Sequence, residues 1–183
     1  VEAYESYFRH YSRVYSPLLP KDKDAAILDV GCGIGYFLYF LEKESYSNIF
    51  GIDIGEEQLN ICRQYASNKV EKIYDLVGFL RKHEHSFETI VSIDVFEHFK
   101  DEELFPVLDA IKNALSPHGT LILSVPNAAC LTSLFTLYGD LTHCRLFTEN
   151  TITQLLLSAG FVNVQLFPNE KTVIRSFKSR RDK

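Results

Sequence analysis

The chain alternates short, almost wholly apolar runs with longer stretches in which apolar residues recur every three or four positions. The first kind reads as strand buried on both faces, the second as amphipathic helix. Residues 2–15 place Tyr4, Tyr7, Phe8, Tyr11, Val14 and Tyr15 largely at helical spacing, and Pro17 and Pro20 end that run. A strand is then expected at 25–30, a helix at 35–45, a strand at 48–53 and a helix at 56–67. A short strand at 70–74, a helical turn at 75–82 and a strand at 87–93 follow. A helix at 101–115 stops at Ser116-Pro117-His118-Gly119, ahead of a strand at 119–125. Thr148 is a fitting N-cap for a helix at 149–159, which Gly160 closes. Strands at 161–167 and 172–177 flank Pro168-Asn169-Glu170-Lys171 as a hairpin. The alternation predicts an α/β fold, a mostly parallel sheet with helices on both faces and one antiparallel edge from the hairpin.

One junction carries chemistry. Ile27-Leu28-Asp29-Val30 runs into Gly31-Cys32-Gly33-Ile34-Gly35 and then at once into the helical Tyr36–Leu41. Glycines at alternate positions permit a tight turn with positive φ and a ligand lying against the backbone. Asp53 ends the next strand, where a carboxylate can accept from both hydroxyls of a ribose. The spacing is G-x-G-x-G, without the third glycine of a dinucleotide fingerprint and without the G-K-[ST] of a P-loop. Asp29 would repel a pyrophosphate but suits a ligand carrying an ammonium and a sulfonium.

This stretch resembles motif I of the class I S-adenosylmethionine-dependent methyltransferases, and the order of elements is similar from about residue 25 to residue 177. The resemblance implies a Rossmann-like seven-stranded sheet in the order 3-2-1-4-5-7-6, with strand 7 antiparallel. It implies S-adenosylmethionine as cofactor and S-adenosylhomocysteine as product. Gly31, Cys32, Gly33 and Gly35 would then face the methionine part, Asp29 its ammonium, and Asp53 with Ile54 the ribose side. Asp75 would accept from the adenine amino group and Leu76 cover the ring, although Asp75 also reads as a helix N-cap. Phe87–Phe99 resembles the family's fourth strand and the Glu-His after it, with Glu88 in place of the usual Asp. Asp94 would emerge beside the cofactor methyl, near the acceptor, as a candidate catalytic residue, and Glu97-His98 would orient a substrate or a loop.

Residues 126–147 form a long connection after a core strand, a length that is usually functional. Its leading half, Ala128–Tyr138, is apolar enough for a short helix closing over an apolar pocket. Asp140-x-x-His143-x-Arg145-x-Phe147-Thr148 is similar to a segment of ubiquinone-type and sugar-modifying methyltransferases. His143 is the candidate general base, because imidazole titrates near neutrality. Arg145 is a candidate anchor for an acidic substrate group, or pairs with Asp140. His98 and Tyr11 are further substrate candidates, and 1–20 is expected to form a helical lid.

Composition narrows the partners. The 183 residues suit a single domain spanning 1–183. A net charge of −5 argues against general nucleic-acid binding, despite a basic cluster at Lys178, Arg180, Arg181 and Lys183. No apolar run approaches a membrane span, and no secretory signal pattern is present. Cys32, Cys62, Cys130 and Cys144 form no C-x-x-C, which suits free thiols in a cytoplasmic protein. Neither His83-x-His85 nor His143-Cys144 has the spacing of a closed zinc site, so no metal is expected. The expected activity is methyl transfer to a small-molecule acceptor, with a hydroxyl oxygen favoured, by a monomer or homodimer. A non-catalytic or regulatory S-adenosylmethionine-binding domain and an NAD-dependent oxidoreductase are the rival readings.

Overall fold

The computed structural model describes residues 2–168 and 171–178. Seven strands are β1 (Ile27–Val30), β2 (Ile49–Asp53), β3 (Val70–Lys72), β4 (Phe87–Ile93), β5 (Leu115–Pro126), β6 (Phe161–Pro168) and β7 (Lys171–Lys178). The helices are α1 (Glu2–Val14), α2 (Tyr36–Lys43), α3 (Glu56–Tyr65), α4 (Leu76–Lys82), α5 (Asp101–Ala114), α6 (Ser133–Gly139) and α7 (Glu149–Ser158). The strands form one sheet in the order β3-β2-β1-β4-β5-β7-β6. The pairings from β3 to β5 are parallel, and β7 runs antiparallel to both β5 and β6. The expected order and the antiparallel strand are both present.

Side-chain parity sorts the core into two layers. Leu28, Val30, Ile52, Ile90, Leu121 and Leu123 pack with α4, α5 and α7 on one face. Ile27, Ile49, Val91 and Ile122 pack with α1, α2 and α3 on the other. Adjacent strand residues point to opposite faces, so burial on both sides demands the near-continuous apolar runs seen in the sequence. Asp29 breaks that rule in the middle of β1 and is 2% exposed. Its parity puts it on the α1–α2–α3 face.

The aromatic stripe of α1 packs chiefly on α2. Tyr11 and Tyr15 meet Phe37 edge-on, Tyr7 stacks on Tyr36 at 4.0 Å, and Tyr4 contacts Tyr36 and Tyr39. The Tyr4 hydroxyl donates to the Ile34 carbonyl at 2.6 Å, which ties this helix to the glycine turn.

The boundary between α5 and β5 departs from expectation. Strand pairing begins at Leu115, opposite Phe87, with a register shift before Thr89 pairs with Thr120. The Ser116–Gly119 stop signal is therefore absorbed as an irregularity inside the strand, with His118 at φ 68°. The hairpin residues Asn169 and Glu170, and Arg180, Arg181 and Lys183 of the basic cluster, lie outside the described residues.

Candidate functional site

The sheet order reverses between β1 and β4, so the loops after these strands diverge and leave a crevice at their carboxyl ends. The crevice encloses about 600 Å³ and is bordered by Asp29, Gly31, Cys32, Gly33 and Asp94 from the sheet side. Ser6, Tyr7, His10 and Tyr11 of α1, with Tyr15, form the opposite wall. The lid expected at 1–20 is thus a packed helix whose inner edge borders the crevice.

Each turn glycine has its own reason. Gly31, Gly33 and Gly35 have φ of 74°, 52° and 86°. A Cβ on Gly31 would strike Val95 of the loop after β4. A Cβ on Gly35 would strike Cys62 and Ala66 on the α3 side. Gly35 therefore lets the turn approach the α3 segment and does not border the crevice, which corrects its expected ligand contact. Gly33 has open space where a Cβ would be, so a ligand can lie against its backbone on that side. Cys32 and Cys62 are both buried in this packing.

Two carboxylates frame the turn. Asp53 accepts from the Gly33 and Gly55 N–H groups, both at 2.8 Å, and so fixes the turn relative to the end of β2. Beside it, Ile54 is 70% exposed, an apolar side chain with no protein cover. Asp29 has no such support: its Oδ2 is buried without a hydrogen-bond partner. Burial foremost, then the neighbouring Cys62 and Asp53, push its pKa up to about 8. Leaving a buried carboxylate unsatisfied is costly unless a ligand completes it.

Asp94 ends β4 in the left-handed region, with φ 56°, and its N–H donates to the Ser124 carbonyl at 2.9 Å. Non-glycine residues held there gather at functional sites. Asp94 borders both the crevice and a second cavity of about 380 Å³, which Glu97, His98, Asn127, Thr136, Asp140 and His143 also line. The His98 and His143 rings meet edge-on with centroids 4.7 Å apart. Sequence separation hid this pair, and nothing in the linear pattern joins the segments that carry it.

Several expectations need correction. Arg145 does not face the second cavity: its guanidinium pairs with Asp101, and its Nε donates to the Phe99 carbonyl at 3.2 Å. The alternative pairing with Asp140 is also not formed, because Asp140 accepts from the Thr142 hydroxyl and N–H. Tyr11 borders the crevice, together with Asp94, and is absent from the wall of the second cavity. Asp75 accepts from the Gly78 N–H at 2.8 Å and caps α4; the cap half of its double reading is what the fold displays. Leu76 is half-buried and packs on the core. The pocket beneath 126–147 is of mixed character where an apolar one was expected, with Glu97, His98, Asn127, Asp140 and His143 among its lining residues. α6 turns Thr136 toward it, while Leu134, Phe135 and Tyr138 are exposed. Glu88 supports the expected structural role, accepting from the Ala26 N–H at 3.0 Å.

Sequence reasoning named Tyr11 alone on α1 and missed Ser6, Tyr7, His10 and Tyr15 as crevice wall. The helical stripe marked the face of α1 but not which end of it overhangs the turn.

A family profile described as a methyltransferase domain matches residues 4–166. The chain belongs to the class I S-adenosylmethionine-dependent methyltransferases. It is similar to a ubiquinone biosynthesis O-methyltransferase of Hydrogenovibrio crunogenus, 29% identical over 57% of this chain and 44% of that protein. A probable S-adenosylmethionine-dependent methyltransferase of Mycobacterium tuberculosis is 26% identical over 87% of this chain and 57% of its own length. A tRNA U34 carboxymethyltransferase of Cellvibrio japonicus is 34% identical over 58% of this chain and 34% of that protein. The chain spans about half the length of the curated relatives it matches. The fold is shared with the crystal structure of an S-adenosylmethionine-dependent methyltransferase from Archaeoglobus fulgidus, at TM-score 0.82 and 22% identity, covering 96% of this chain and 94% of that one.

S-adenosylmethionine is the cofactor of this methyltransferase family, and the crevice fits it. The orphaned Asp29 oxygen calls for a cationic partner, the open face of Gly33 admits a ligand against backbone, and Asp53 stands one turn away. Among the described residues, no helix is long and apolar enough to cross a membrane.

Proposed function

We propose that this chain transfers a methyl group from S-adenosylmethionine to a hydroxyl oxygen of a small polar molecule. The observation that carries the reading is the position of Asp94, shared by the cofactor crevice and a cavity holding two imidazoles. When bound, the cofactor supplies a methyl group on a sulfonium, with a neutral thioether as leaving group. Asp29 would hold its ammonium, the Gly31–Gly33 backbone its methionine part, and Asp53 with Ile54 its ribose side. Asp75 and Leu76 would stand on the adenine side, where Asp75 also caps α4.

The protein must hold the acceptor close and take up a proton. His143 is fitted to be the base. Its Nδ1 lies 2.9 Å from the Thr136 carbonyl, which only accepts, so Nδ1 carries a hydrogen and the lone pair of the neutral ring is on Nε2. His98 and Asp94 would position the acceptor. Oxygen is favoured because a hydroxyl acceptor must lose its proton, which a bare imidazole nitrogen can take up.

A small acceptor is preferred to nucleic acid because of the −5 charge, although one relative is named for tRNA. The buried carboxylate in the crevice speaks against a pyrophosphate-bearing cofactor such as NAD. We further propose one domain over 1–183, with 126–147 on the substrate side, as a monomer or homodimer. Free Cys130 and Cys144 at the surface support a reducing, cytoplasmic setting.

The test is a screen of phenols, sugars and other hydroxyl compounds with isotopically labelled cofactor. Turnover should fall at least 100-fold in His143→Gln, with loss of the acidic limb of the pH–rate profile. Tight S-adenosylhomocysteine binding with no turnover on any acceptor would favour the non-catalytic reading. Identical pH profiles would remove His143 as base.

A further inference from the structure

We propose that Glu97, His98 and His143 form a binding site for one divalent transition-metal ion, of the zinc, cobalt or manganese kind, in the wall of the second cavity. One potential ligand atom from each residue lies within 4.8 Å of the other two. The three come from two segments far apart in sequence. Glu97 and His98 sit on a 3₁₀ turn after β4, and His143 sits in the connection after α6. Backbone bonds fasten these segments together: the Cys144 and Arg145 N–H groups donate to the Glu97 carbonyl at 2.8 and 3.3 Å.

The hydrogen bonds around the imidazoles fix their tautomers. His143 donates from Nδ1 to the Thr136 carbonyl. His98 Nδ1 lies 2.8 Å from the Thr142 hydroxyl, which itself donates to Asp140 at 2.6 Å. That hydroxyl has one hydrogen, already directed at Asp140, so it accepts from His98 Nδ1–H. In their neutral forms both rings therefore keep a bare Nε2. Histidine ligands of metals typically donate their other nitrogen to a carbonyl or a carboxylate-linked group, which sets the tautomer as here. Glu97 adds a carboxylate that is 1% exposed, and two imidazoles with one carboxylate suit borderline divalent ions. Ligand atoms on one tetrahedral ion lie about 3.4 Å apart. The half-buried imidazoles would turn inward to close on it, and the cavity leaves positions for an acceptor oxygen.

The ion site stands on geometry alone; its catalytic role rests on the methyl-transfer reading. In that role the ion would bind the acceptor hydroxyl and lower its pKa. The O–H bond breaks and its proton leaves to water. The oxygen pair forms the bond to the methyl carbon as the carbon–sulfur bond breaks, its pair remaining on sulfur. His143 would then be a ligand, and the ion would replace it as the means of removing the proton.

The test titrates Co²⁺ and Zn²⁺ into the EDTA-treated full chain, by calorimetry and by the visible absorption of Co²⁺, with S-adenosylhomocysteine binding measured in parallel. One equivalent is expected, with His98→Gln and His143→Gln each weakening affinity at least tenfold while melting temperature and S-adenosylhomocysteine affinity stay unchanged. These half-exposed positions avoid the folding risk of changing buried Glu97. No binding at millimolar ion overturns the site, as does binding that survives both variants or follows Cys130→Ser and Cys144→Ser instead. Full turnover after EDTA treatment, with the His143-dependent pH limb intact, overturns the metal's role and leaves the base reading standing. Metal binding without any S-adenosylhomocysteine binding sinks the methyltransferase reading and spares the ion site.

Discussion

Replacing Asp29 by Asn tests the cofactor site most directly. In the unliganded protein the Asp29 carboxyl is held near pKa 8, chiefly by burial. A carboxyl whose folded pKa exceeds its unfolded value binds its proton more tightly in the fold. Its effect on stability is therefore neutral below about pH 4 and becomes destabilising as pH rises toward 8, with a ceiling of roughly 6 kcal/mol. Water entering the crevice screens part of this. The wild-type protein should lose thermal stability between about pH 4.5 and about pH 8, and Asp29→Asn should flatten that slope and melt higher at the alkaline end. Ligand binding reverses the balance. An ammonium beside Asp29 favours the carboxylate, so binding S-adenosylhomocysteine must expel the proton. Calorimetry in buffers of different ionisation enthalpy should detect release of about one proton near pH 6.5, and affinity should rise about tenfold per pH unit from about pH 5.5 to about pH 7. Asp29→Asn should abolish both the release and the slope. Binding that is independent of pH, with no proton released in the wild type, would refute the assignment of the ammonium to Asp29.

Other outcomes follow from the same geometry. Asp53→Ala releases the Gly33 and Gly55 N–H groups and removes the ribose acceptor, so S-adenosylhomocysteine affinity should fall tenfold or more, about 1.4 kcal/mol, by calorimetry. Gly35→Ala drives a Cβ into Cys62 and Ala66 at positive φ and should cost about 3 kcal/mol in denaturant unfolding. Gly33→Ala, with open space around it, should cost only about 1 kcal/mol; equal costs would contradict the packing reason given for Gly35. Arg145→Ala breaks a pair with an exposed Asp101 and should change stability by no more than about 1 kcal/mol, with acceptor KM unaltered. A large KM effect would return Arg145 to the acceptor site.

The linear sequence determined the layered sheet, because a strand buried on both sides must be almost wholly apolar, as Ile27–Val30 is apart from Asp29 and Leu121–Val125 apart from Ser124. It also determined the turn, since three closely spaced glycines before a helix leave few other conformations, and it marked Asp29 and Asp53 as anomalies at strand ends. These signals are local: periodicity and spacing act within a dozen residues. What tertiary structure decided is everything that depends on which segments meet. Arg145 looked like a substrate anchor until α5 brought Asp101 against it, and Gly35 looked like a ligand contact until α3 filled the space beside it. The apolar side chains of α6 promised a greasy pocket, yet the helix turns them outward and Thr136 inward. The Glu97-His98 pair and His143 are separated by more than forty residues and converge only because the connection after β5 folds back over the end of β4. Chain distance carries no information about such a meeting: the sequence offered His98 and His143 as separate candidates, and only the tertiary structure set their rings side by side.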